Sequence, residues 1–195
     1  MLDLFLKLIE KFVDLQKRRE ETNKALFKDL ILPAFSDFEI VHKDYVESFK
    51  RYRDLIETTE EPLSDKHVVL RLIQKDSLFT EHLRTKAWGH DELYSDKIFG
   101  GFAIAIFKYL FCVTDNDSSL TDPRSNPRRR RLSDELTDVF QGIQDNDNEN
   151  ALQTNQTKKQ CAIEVLDEHI TDIQTQFSNT VNEYAKLKKR LLKAG

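Results

Sequence analysis

The sequence predicts an all-α protein: a five- to six-helix bundle in which long N-terminal and C-terminal helices pack around a buried central helix at about 96–113. Three observations lead there. Apolar residues recur every three or four positions in one segment after another, and no run alternates convincingly with period two. Five Gly and four Pro in 195 residues supply few turns, which suits long helices better than many short strands. Four Ser-Asp pairs, Ser36-Asp37, Ser64-Asp65, Ser95-Asp96 and Ser133-Asp134, each stand before a helical pattern. A serine there can accept from the orphan N–H groups of a first turn, and an aspartate just inside it meets the positive end of the helix dipole.

The first helix is expected over Leu2 to Leu32, carried by Phe5, Ile9, Phe12, Leu26 and Leu30 and ended by Pro33, since the residue before a proline is pushed out of the α region. Its middle, KRREETNK, is wholly polar. The second is expected from Asp37 to about Thr58. Phe38, Val41, Tyr45, Phe49, Tyr52 and Ile56 form its core stripe, and Ser36 with Glu39 completes a capping box. The third covers Asp65 to about Trp88 and stops at Gly89. The fourth, Asp96 to Val113, is apolar nearly all round, so it is the expected buried centre. It is short for a bilayer span, which needs about 20 residues, and Lys108 sits within it. A short fifth helix is expected from Asp134 to about Ile143. The last should run from Lys158 to Leu192, with a seam of Leu166, Ile170, Ile173, Phe177, Val181, Tyr184 and Leu191 that skips a step at Leu187.

The chain is thus expected to be a single helical domain over 1–195, with polar linkers at about 114–132 and 145–157. Thirteen Phe and an apolar share of 39% are enough for a core, so a fully disordered chain is excluded. Cys112 and Cys161 lie in apolar stretches without a CxxC, so both read as buried thiols and suit a reducing, cytoplasmic location. The N-terminal MLDLFLKLIEKF lacks a basic n-region and a cleavage site, so it does not read as a secretion signal.

Sequence signals for chemistry are sparse. No phosphate-cradling GxxxxGK[ST], GxGxxG or GxSxG is present, and Gly100-Gly101 reads instead as a place for close helix approach or a kink. DNDNEN at 145–150 and DNDSS at 115–119 fail the calcium-loop pattern, with Asn150 or Leu120 where glycine is needed. His42, His67, His82 and His169 are scattered without the spacing of metal ligands, so neither a metal nor another cofactor is expected.

The segment RTKAWGH, Arg84 to His90, resembles the R-x4-6-H motif of the HEPN ribonucleases. Those proteins are all-helical, and two motifs meet across a dimer to cleave RNA without metal. The resemblance implies that His90 would move a proton while Arg84 steadies phosphate charge. The residue after the arginine is Thr85, and Gly89 directly precedes His90.

Two further segments bear on partners. Arg128, Arg129, Arg130 and Arg131 interrupt a chain of net charge −4. Such a run can neutralise phosphates, but Asp134, Glu135 and Asp138 follow and no aromatic residue is interleaved, so it reads first as a solvated loop before a helix. RRRRLS also matches a basophilic kinase site at Ser133, a residue already assigned a capping role. The amphipathic MLDLFLKLIEKFVDL could lie on a membrane, but its polar face mixes Asp3, Glu10 and Asp14 with Lys7 and Lys11 and is not basic.

The leading expectation is therefore a non-enzymatic helical protein–protein interaction module: an adaptor, a regulator or an oligomerising subunit. It would use the long coiled-coil-like seam Leu166, Ile170, Ile173, Phe177, Val181 and Tyr184, together with Arg128 to Arg131, to meet a protein partner or a second copy. A metal-independent ribonuclease using Arg84 and His90, and a membrane-active effector using the N-terminal helix, are the alternatives. Nucleic acid is the weaker partner on this reading, and membrane weaker again.

Overall fold

A computed structural model describes residue 25 and residues 27–64, 67–75, 97–111, 132–142 and 151–193. Among them the protein is all-α and has no strand. A π-helical turn, Phe27–Ile31, runs directly into α1, Leu32–Thr58. α2 covers 68–75, followed by α3, Gly100–Phe111, α4, Leu132–Gly142, and α5, Ala151–Lys193. The expected first helix falls in the described residues only at its end, and the expected third only over 67–75.

The boundaries depart from expectation in five places. α3 begins at Gly100, not at Asp96: 97–99 form a turn, and the first helical bond runs from the Ala103 N–H to the Phe99 carbonyl at 2.9 Å. α1 begins at Leu32, not at Asp37, so Pro33 starts a helix instead of ending one and Ser36 lies inside it. Pro33 lacks the N–H that would bond back to the preceding turn, and that turn is π-helical, the widened form found where a helical ladder is interrupted. α2 begins after His67, not after Ser64-Asp65: His67 Nδ1 accepts the Val69 N–H at 3.3 Å, so His67 is the N-cap. α4 begins at Leu132, which places Ser133 one residue inside the helix and removes its capping role. α5 begins at Ala151, so the polar run expected as a linker over 145–157 is helical from 151 onward. Ala, Leu and Gln in that run are good helix formers, and the propensity of the segment outweighs its polarity.

The chain divides into two compact units. The first takes residues up to Asp44, then 81–129 and 172–195. Its described core is aromatic. Phe38, fully buried, meets Tyr109 edge-on at 4.7 Å and stacks with Phe177 at 5.6 Å. Tyr184 lies flat on Phe35 at 3.9 Å, with Phe27 and Phe102 near by. α3 contributes Phe102, Ala103, Ala105, Ile106, Phe107, Tyr109 and Leu110, all buried, so its nearly uniform apolarity has the expected use. Pairs of such rings contribute about 0.5–1.5 kcal/mol each beyond their area.

The second unit takes Tyr45–Thr80 and Arg130–Thr171. Its core is mostly aliphatic: Ile56, Leu63, Val69, Leu70, Leu136, Ala162 and Leu166 are all but fully buried. The turn at 59–64 is fastened to α5. Asn155 Oδ1 accepts the Leu63 N–H at 3.0 Å, and the Lys159 ammonium donates to the Thr59 carbonyl. Arg53 joins Asp167 and Glu57 at 3.1 Å each, but this pair is exposed and worth little.

Candidate functional site

The long seam is spent largely inside the chain. Leu166 and Ile173 are buried, as are Leu187 and Leu191, while Ile170, Phe177, Val181 and Tyr184 are half-buried on its flank. Leu187 therefore supplies the step that the apolar pattern skips. The most buried line of α5 also includes His169, Gln176 and Thr180. Two of them have hydrogen bonds: Thr180 Oγ1 donates to the Gln176 backbone carbonyl at 2.9 Å, and His169 Nε2 pairs with Glu135 Oε2 at 3.0 Å. Of the six residues expected to meet a partner, Leu166 and Ile173 are buried, and Phe177 and Tyr184 make ring contacts within the chain. Arg84, His90 and Arg128 to Arg131 lie outside the described residues, as do Cys112, His82 and the N-terminal amphipath.

The described histidines are parts of the packing. His42 stacks on Phe177 at 3.8 Å and shares a 3.1 Å hydrogen bond between its Nδ1 and the Tyr109 hydroxyl. Burial lowers the His42 pKa below its ordinary 6.5. His67, the cap of α2, has Nδ1 occupied as an acceptor, so Nε2 carries the proton and donates toward Thr59 Oγ1 at 3.4 Å. Its pKa is also lowered, by burial first, against an upward pull from the Glu61 carboxylate and with a smaller downward push from the Lys159 charge. His169 stacks on Phe49 at 6.3 Å besides its bond to Glu135. Cys161, expected buried, is half-exposed on α5.

The open concavity in the first unit lies between α3 and the C-terminal part of α5. It is a cleft of about 370 Å³ lined by Gly101, Ala105 and Lys108 on one side, and by Asn179, Glu183 and Lys186 on the other. Positions 101, 105 and 108 share one face of a helix, as do 179, 183 and 186. Gly101 and Ala105 make the α3 wall recede, and longer polar side chains reach in from α5. A Cβ on Gly101 would stand 2.8 Å from Glu183 Oε2, so this glycine admits the carboxylate. Glu183 in turn receives the Lys186 ammonium at 2.5 Å. The expectation of close approach at Gly100-Gly101 is met, by a side chain at Gly101 and not by a helix backbone.

Chemically the cleft offers amides, one carboxylate and two ammonium groups, a set that recognises polar and charged groups through hydrogen bonds. Among the described residues no three His, Cys, Asp or Glu side chains gather as metal ligands. No described helix is long and apolar enough to cross a membrane. Sequence reasoning had singled out Gly101 and Lys108 but not Asn179, Asn182, Glu183 or Lys186. The available signal was a polar stripe bordering an apolar seam, which ordinarily marks only a solvated face.

No protein-family model matches the sequence, no curated protein matches it, and no solved structure matches the fold.

Proposed function

We propose that the chain is a non-enzymatic helical interaction module, an adaptor or regulator that receives a segment of another protein. The observation that supports this reading is the cleft between α3 and α5, whose lining combines amides with charges of both signs. Such a lining suits side chains and backbone groups of a polypeptide, where several hydrogen bonds of about 1 kcal/mol each add to shape. The described histidines point the same way, because each is committed to stacking, capping or an internal hydrogen bond. Lys108 is the residue on which the reading is staked, being the cation that an otherwise apolar helix brings to the cleft.

The test compares proteins retained by the full chain with those retained by Lys108→Glu and Asn179→Leu variants, from the cells that express it. Light scattering on each variant detects self-association in parallel. The reading predicts a defined partner, or a second copy, that the wild type holds and Lys108→Glu releases. A strictly monomeric protein with no partner sensitive to either variant overturns it. So does cleavage of RNA in chelator that His90→Ala abolishes, which would put the ribonuclease reading in its place.

A further inference from the structure

We propose that Ser133 is a phosphorylation site for a basophilic serine/threonine kinase and that its modification undocks α4 from the core of the second unit. Residues 128–133 read RRRRLS, which sets Arg130 and Arg131 three and two positions before the acceptor. A kinase reads such residues along an extended strand, so recognition depends on their order in the chain and not on a folded arrangement. The capping role that the sequence suggested for Ser133 does not compete, since α4 starts at Leu132. Among the described residues the Ser133 hydroxyl makes a long contact, 3.4 Å, to Asp134 Oδ1.

Burial gives the modification its consequence. Ser133 is 7% exposed, and Leu132, Leu136 and Phe140 are buried beside it on the same short helix. A phosphoserine carries about −1.5 to −2 charges, which cannot stay in that position without solvent or basic partners. Its immediate neighbours on the helix are Asp134 and Glu135, which repel it. The same charge is favourable at the start of a free helix, where it meets the positive end of the dipole. The modified α4 therefore loses its docking and, as an 11-residue helix without tertiary packing, frays. Two contacts report that docking: Phe140 stands edge-on to His67 at 6.2 Å, and Glu135 holds His169.

In the step itself the γ-phosphoryl group of a nucleoside triphosphate passes to Ser133 Oγ. The bond to the diphosphate leaving group breaks, the Oγ–P bond forms, and the hydroxyl proton leaves through the kinase's base to water. Because the acceptor is buried, the reaction draws on chains in which α4 has opened locally. Weakening the docking should then speed it.

The experiment incubates the full chain with the catalytic subunit of the cyclic-AMP-dependent kinase, magnesium and ATP, and maps the product by mass spectrometry. Expected are phosphate at Ser133, none at that site in Arg130→Ala/Arg131→Ala, and uptake faster by about thirtyfold or more in Leu136→Ala, the factor that a loss of about 2 kcal/mol of docking gives. In the phosphorylated wild type the imidazole proton resonances of both His67 and His169 should move, with the loss of far-ultraviolet circular dichroism limited to at most the share of the 11-residue α4. The proposal is overturned by wild type and Leu136→Ala both remaining unmodified, or by uptake indifferent to the two arginines. It is equally overturned by a phosphorylated chain whose two histidine spectra match the unmodified one.

Discussion

At the scale of single residues, the histidines set how the protein answers to acid. His42 and His67 both have pKa values held below 6.5, so the unfolded chain takes up their protons first as pH falls. Their neutral forms contribute stability that is complete above about pH 6.5 and is lost as pH drops toward their lowered folded values. Urea unfolding at pH 7.5 and pH 5.5 should show a lower midpoint at the acidic value. The double variant His42→Gln/His67→Gln should flatten that difference, and an undiminished difference would locate the sensitivity elsewhere. Gly101 provides a second residue-scale test. Alanine there gains up to about 1 kcal/mol of helix propensity and displaces only the flexible end of Glu183, whose bond to Lys186 is worth about 0.5 kcal/mol. Gly101→Ala should therefore melt at or slightly above the wild-type temperature while narrowing the cleft. A loss of more than about 1 kcal/mol would show that Glu183 has nowhere to go.

At the scale of elements, apolar periodicity was a reliable guide and helix starts were not. The stripe Phe38, Val41, Phe49, Tyr52, Ile56 turns inward as its spacing requires. Pro33 misled because one residue type both ends a preceding helix and suits the first turn of the next, and only the local backbone decides between them. His67 could not be found by its side-chain type, since histidine is not among the usual caps, yet its Nδ1 does what a serine oxygen would have done. Removing it in His67→Ala should cost about 1 kcal/mol, readable as a shift in the denaturation midpoint at pH 7.5. Core substitutions rank by size. Phe38→Ala in α1 should cost about 3–5 kcal/mol and Leu136→Ala in α4 about 2–5 kcal/mol, both residues being 0% exposed. A cost below 1 kcal/mol at either would contradict the packing described for its unit.

At the scale of the whole molecule, the all-α class was legible because it rests on many residues at once, whereas the cleft rests on a few. Its lining joins residues about 80 positions apart in sequence, Gly101 to Glu183 for instance, and polar side chains carry no periodic signal that distinguishes a recess from an ordinary wet surface. The seam of the last helix is ambiguous in a related way. Its pattern announces an apolar face, but the same pattern serves a neighbouring helix of the same chain or a different chain equally well. Tyr184 against Phe35, and Phe177 against His42, are contacts of that face within the chain. Light scattering on the full chain should accordingly give the same molar mass for Phe177→Leu as for wild type. A drop in mass would place that ring in an interface between copies.

The turn at 59–64 is fastened by side chains that lie 92 and 100 residues further along, Asn155 to Leu63 and Lys159 to Thr59. During synthesis that corner must wait, unbraced, until the ribosome has released residue 159, and closing so long a span is slow compared with winding the helices on either side. Chaperone demand on the nascent chain should therefore ease abruptly once those two amino acids emerge.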